Sequence, residues 1–220
     1  MRTRNIFILF TMLALHLSAC TDIEDGTTDI DSWPAINAHP CMLHTAADLS
    51  YVASKLTVAP WSEGYDKLKN SGYSYAGYVP TPQEVLGRMD QGNWASKFPE
   101  WWNNYTYFYK DAAAAYQLAL RWKLEGDVAC GQTAVKILNA WAETCKGLVR
   151  VKSLANDRTY DANGEIADPN EYLISINVHQ MANAAEIMRT DETLFTKAQL
   201  SAFQTMMKNV FYPAASDFLA

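Results

Sequence analysis

The stretch DAAAAYQLALRWKLEGD, Asp111 to Asp127, decides the fold class. Between positions 112 and 124 it carries polar side chains only at Gln117, Arg121 and Lys123, so a helix here is buried over most of its circumference. Gly126 supplies a left-handed stop and Asp127 can cap a second helix. That second helix, 128–146, is amphipathic. Gln132, Lys136, Asn139, Glu143 and Lys146 form one solvated stripe opposite Cys130, Ala134, Val135, Leu138, Trp141 and Cys145. A buried helix followed by an amphipathic one is the unit of a layered all-α array with an inner and an outer ring.

The flanking sequence repeats the helical theme. Thr45 with Asp48 opens a short helix to about 56, and Pro60-Trp61 opens another to about 69. Thr81-Pro82-Gln83-Glu84 has cap, proline and acid in capping-box order, and Asp168-Pro169-Asn170-Glu171 starts a helix running to about 188. Thr196 to Gln199 starts a last one, which ends near 211, before Pro213. Only 149–152 hints at a strand. The Gly- and Tyr-rich loop 70–80, with Tyr73, Tyr75 and Tyr78, reads either as a mobile lid or as a loop packed by its own tyrosines.

The first twenty residues have the form of an export signal. Arg2 and Arg4 precede an apolar run, 6–17, too short to span a membrane once mature. Leu17-Ser18-Ala19-Cys20 resembles a bacterial lipobox, which implies lipidation of Cys20 and an exported protein at the periplasm or outer-membrane surface. The membrane is then met only through the lipid anchor. Residues 21–38 follow as an acidic tether, similar to the surface-export signals of Bacteroidetes lipoproteins, and a helical domain is expected over 39–220.

Composition limits the partners. Without Arg2 and Arg4 the formal charge goes from −6 to −8, the wrong sign for a nucleic-acid footprint. Aromatic residues make up 12%, with 7 Trp and 12 Tyr, enough for sugar stacking as well as for core packing. Cys130 and Cys145 sit about 22 Å apart on one helix and cannot bridge, which leaves at most one disulfide, through Cys41. The thiols read as buried packing residues; no CxxC-type ligand spacing is present, and neither metal nor cofactor is expected.

The helix expected over 169–188 has the most unusual polar placement. Ile174, Val178, Met181, Ala185 and Met188 make an apolar stripe, widened by Leu173, Ile176, Ala184 and Ile187. Asn177 falls inside that arc with Gln180 beside it, while His179 lies on the other side with Ser175 and Glu186. Asn177 is either a core amide bonded to neighbouring backbone or a group facing a cavity, and His179 either a structural imidazole or a reactive one.

His39-Pro40 with Pro60-Trp61, the run Ala119-Leu120-Arg121-Trp122-Lys123-Leu124-Glu125-Gly126-Asp127 and its continuation Ala134 to Ala142 resemble the alginate lyase family. That resemblance implies an incomplete α/α toroid (barrel) of successive αα-hairpins, and β-elimination on a uronate polysaccharide such as alginate or glucuronan. Such a lyase neutralises the C5 carboxylate, removes the C5 proton and protonates the leaving oxygen at C4. In the family an Asn-His pair, an arginine and a tyrosine supply these roles. This chain has no Asn-His dipeptide; Asn177-Val178-His179 comes nearest, making Asn177 the candidate carboxylate neutraliser and His179 the candidate base or substrate contact. Trp94, Trp101, Trp102, Asn103 and Tyr105 are candidate sugar contacts, and Arg88 a candidate carboxylate partner. Arg88, Lys97, Arg150, Lys152 and Arg158 can form a local basic patch that offsets the acidic whole. The chain stops at Ala220 in an apolar stretch, and the expectation is of an N-terminal part whose later helices hold most of the catalytic set. The alternative is a non-catalytic glycan-binding surface lipoprotein, which shares the lipobox and the aromatic richness and needs neither acid nor base.

Overall fold

The structure, a computed structural model, describes residues 38–87, 104–148, 150–151, 160–161, 166–167 and 174–219, all within the unit Ala38–Ala220. They are mostly helical, as the periodicity requires. In chain order come α1 (Ala46–Ala53), α2 (Trp61–Lys69), β1 (Val85–Leu86), α3 (Tyr105–Glu125) and α4 (Val128–Thr144). Next are the short strands β2 (Gly147–Leu148), β3 (Arg150–Val151), β4 (Tyr160–Asp161) and β5 (Ile166–Ala167). A 3-10 turn (Ser175–Asn177) leads into α5 (Val178–Met188), then α6 (Lys197–Met206), a π-helical turn (Met207–Phe211) and α7 (Tyr212–Leu219). The expected leader and tether, Cys20 included, lie outside the described residues.

The α3–α4 hairpin forms as its sequence dictates. Gly126 ends α3 at φ 76°, a conformation that costs glycine nothing, and its N–H donates to the Trp122 carbonyl. Asp127 caps α4 by accepting the Cys130 N–H. No residue from Asp111 to Leu124 is exposed, whereas Gln132, Lys136, Glu143 and Lys146 face solvent on α4. Arg121 fastens the turn, bonding Glu125, Asp127 and the Ser74 carbonyl. At the core Phe108 of α3 meets the Trp141 ring edge-on at 5.1 Å and stacks on Phe211 at 4.9 Å, joining α3, α4 and the π-helical turn.

The first turns of α3 hold a fully buried carboxylate. Asp111 is 0% exposed. Its Oδ1 accepts the Tyr78 hydroxyl at 2.7 Å, and its Oδ2 accepts the Thr81 N–H and the Trp141 indole N–H, each at 2.7 Å. Loop 70–81 is thereby tied to α3 and α4 together, and Thr133 adds a bond from α4 to the Ala76 carbonyl. Of the two readings of that loop the packed one holds, since Tyr73 and Tyr75 pack against the anchored Tyr78.

Two helix boundaries differ from expectation. The capping-box pattern at 81–84 starts no helix: Asp111 takes the Thr81 N–H and Gln83 turns back onto the Thr81 and Pro82 carbonyls. The chain then enters β1, which pairs in parallel with β2 and whose approach is fixed by the Lys146 N–H on the Glu84 carbonyl. Strand pairing near 149–152 does occur, as β4-β3-β5, antiparallel throughout. At the other end, Pro213 does not stop the helix. The preceding turn widens to π geometry, the Tyr212 N–H reaching the Met207 carbonyl five residues back. A widened turn moves the Asn209 carbonyl away from the proline ring, which would strike it in a regular helix.

Two substitutions test this packing. Asp111→Ala strands the buried Trp141 donor, at about 1–3 kcal/mol, and releases the Tyr78 hydroxyl and the Thr81 N–H, and should lower unfolding stability in urea by about 2–4 kcal/mol. Gly131→Ala places a Cβ 2.8 Å from Cγ and Cδ1 of Trp122, at the base of a ring with no free end to swing away. Its cost, read in the same assay, should be about 1–3 kcal/mol.

Candidate functional site

The sequence-derived candidates divide sharply. Arg88, Trp94, Trp101, Trp102 and Asn103 lie outside the described residues, as do Lys97, Lys152 and Arg158 of the basic patch. Tyr105 opens α3, half-buried, its ring edge-on to Tyr109 at 5.1 Å. Asn177 and His179 sit together where the 3-10 turn passes into α5.

That turn changes the expected phase. With 175–177 wound as a 3-10 segment, Ile176 leaves the apolar stripe and is 56% exposed. Asn177 is half-buried; its Oδ1 accepts the Gln180 side-chain N–H at 3.0 Å, and its own NH2 has no partner among the described residues. His179 is exposed. Its Nδ1 lies 2.7 Å from the Ile176 carbonyl, an oxygen that can only accept, so Nδ1 carries a proton, and in the neutral ring Nε2 is the acceptor. Asn177 thus offers donors and His179 an acceptor, on different sides of one helix end.

A second constellation lies further along α5. Residues 39–44 are laid against the helix by two of its side chains. Asn183 accepts the Leu43 N–H at 3.1 Å and donates to the His179 carbonyl at 2.7 Å. One turn on, Glu186 Oε1 accepts the Cys41 N–H at 3.0 Å, the Cys41 thiol at 3.1 Å and His39 Nδ1 at 2.5 Å. Arg189 holds the other oxygen, Oε2, at 3.3 Å. Burial alone would push the Glu186 carboxyl up, but the bonds from His39 and Cys41 outweigh it and hold it below its ordinary value. The same carboxylate pushes the Cys41 thiol up by accepting its proton, burial adding to the effect, so the thiol is a donor and no ready nucleophile. Cys130 and Cys145 are also free thiols, driven up to about 12 and about 11 by burial.

The segment ends on α3. The His44 ring stacks on Tyr116, centroids 5.8 Å apart, and its Nε2 is hydrogen-bonded to the Tyr116 hydroxyl. Burial raises the Tyr116 phenol, which therefore keeps its proton and donates it to a neutral His44. Glu186 was expected on the solvated side of its helix and is instead buried. Asn183 and Glu186, spaced three apart on an otherwise apolar face, were the available signal for this polar clasp.

Comparison of the chain with protein-family models, curated proteins and solved structures returns no match.

The His44–Tyr116 pair predicts a pH dependence. Burial lowers the His44 pKa from its ordinary 6.5, against a smaller opposing pull from Asp48. The unfolded chain therefore takes up this proton first, and stability falls as pH drops below 6.5 towards the depressed folded value. Melting temperatures measured from pH 7.5 downwards should show that decline in the native chain, and His44→Phe should remove His44's share of it while keeping the ring stack.

Proposed function

We propose that this chain is a polysaccharide lyase domain that cleaves a uronate-containing polymer, alginate or glucuronan, by β-elimination. The observation that carries the reading is the helix end at 177–179, where His179 is exposed with Nδ1 on the Ile176 carbonyl, leaving Nε2 as the acceptor of the neutral ring, and the Asn177 NH2 has no partner among the described residues. In this reading Nε2 takes the C5 proton, the C5–H electron pair forms the C4=C5 double bond, and the C4–oxygen bond breaks as that oxygen takes a proton from water. Asn177 donates to the C5 carboxylate, where charge builds as the proton leaves.

The architecture supports the same reading. Lys123 near the end of α3 bonds Thr190 just past α5, so the C-terminal ends of these helices meet. α3 packs along α5, while α4 packs on α3 and on α6. Two helices running in one direction, with α4 packed outside α3, are compatible with the beginning of an α/α toroid. The hairpin residues that resemble the alginate lyase family, Ala119 to Asp127 and Ala134 to Ala142, lie in the α3–α4 hairpin. Export and anchoring through Cys20 would place the enzyme at the periplasm or outer-membrane surface.

One observation favours the glycan-binding alternative. Tyr51 and Trp61 stand edge-to-face at 5.7 Å, and 55% and 40% exposed, an aromatic corner with the Lys55 ammonium over the Tyr51 ring. Incubation with alginate and glucuronan, followed by the ultraviolet absorbance of unsaturated uronate ends, separates the two. A lyase gives rising absorbance that His179→Ala cuts by about 10²–10⁴-fold, with a smaller loss in Asn177→Ala. Absorbance that stays flat while the chain binds these glycans, with binding lost in Trp61→Ala, would replace the lyase reading by the binding one.

A further inference from the structure

We propose that His39, Cys41 and Glu186 form a zinc site, three protein ligands with a fourth position for water. Their donor atoms, Nδ1, Sγ and a carboxylate oxygen, lie within 4.8 Å of one another although they come from segments some 145 residues apart. The site is independent of the lyase reading.

The hydrogen bonding alone leaves the cluster overcommitted. Glu186 Oε1 receives contacts from the His39 ring, the Cys41 thiol and the Cys41 N–H, one more than its two lone pairs accommodate. Holding 39–44 on α5 needs only the Cys41 and Leu43 N–H bonds, so the ring and the thiol are turned onto that oxygen without need of either for anchorage. A cation in their midst would bind all three atoms at once.

The ligand set selects the ion. Thiolate and imidazole disfavour calcium and magnesium, which take oxygen ligands, and a Cys-His-Glu set suits tetrahedral Zn²⁺. Around zinc the ligand atoms stand about 3.4–3.6 Å apart. Sγ and Nδ1 are already 3.5 Å apart; the edges to Oε1, at 3.1 and 2.5 Å, open by rotation of the side chains. Arg189 on Oε2 orients the carboxylate so that Oε1 alone ligates, an outer-shell partner of the kind zinc sites use. The His39 side chain is 22% exposed, which gives an entry path. On binding, the thiol proton leaves to solvent, the ring proton sits on Nε2 rather than Nδ1, and the thiolate and carboxylate together balance the dication.

The test is titration of the chelator-treated full chain with Co²⁺, then Zn²⁺. One equivalent of Co²⁺ should give a sulfur-to-cobalt charge-transfer band, and Zn²⁺ should displace it. Zn²⁺ at about a hundredfold over its Kd should raise the melting temperature by about 5–10 °C. Cys41→Ser, which keeps a hydroxyl donor for Glu186, should abolish the band, and Glu186→Gln should weaken binding at least about tenfold. The triple variant Cys20→Ser, Cys130→Ser, Cys145→Ser, in which Cys41 is the one thiol left, should retain the band, and this variant alone decides the matter if Cys41→Ser does not fold. Absence of the band, its survival in Cys41→Ser, or its loss from the triple variant overturns the proposal.

Discussion

An acceptor placed in the middle of an apolar core has to be surrounded by donors, and each donor brings a segment of chain with it. Asp111 imposes that constraint here. Two of its donors come from loop 70–81, the Tyr78 hydroxyl and the Thr81 N–H, and a third is the Trp141 indole on α4. Trp141 in turn packs on Phe108, one turn before Asp111, and Phe108 on Phe211. The helix pair, the loop that crosses it and the late π-helical turn therefore depend on one side chain being in place. The arrangement also explains why the loop has a fixed course without regular structure: its polar groups are spent on the helices beneath it.

Where sequence and structure agree, the reason is local. The Gly126 stop, the Asp127 cap and the capping boxes at Thr45 and Thr196 each need only residues within a turn of one another, and each forms. The amphipathic stripe of α4 was legible because a solvated face repeats at helical spacing. Where they disagree, a distant residue took the group that the local pattern needed. Thr81 has the form of a cap, but its N–H serves Asp111, thirty residues away, and the chain continues into a strand beside β2. Pro213 has the form of a terminator, yet a widened turn upstream gives its ring the room that a regular helix denies.

The sites show the same division. Asn177 and His179 were singled out because polar side chains near an apolar stripe need a reason, and the structure leaves both with groups to offer. The phase of Ile176 was misjudged because a 3-10 turn at 175–177 rotates the residues before α5 relative to a regular helix. The clasp of Asn183 and Glu186 on residues 39–44 was hidden for a different reason. Charge on a helix ordinarily means a solvated face, and only the partner segment, far away in sequence, shows that Glu186 lies inside. Burial of a carboxylate is tolerable there because Arg189, His39 and Cys41 supply the donors.

That clasp has a consequence for the order in which the molecule is made. Residues 39–44 are among the first of the helical domain to leave a ribosome, and the side chains that hold them are separated from them by 140 to 147 positions. At ordinary rates of about 5–20 residues per second, roughly 7–30 s of translation passes before Asn183 and Glu186 exist at all. Tyr116 arrives in about half that time and gives His44 a first foothold on α3. The earliest segment of the domain is therefore secured in two stages, and its final docking waits on the nascent chain rather than on its own search.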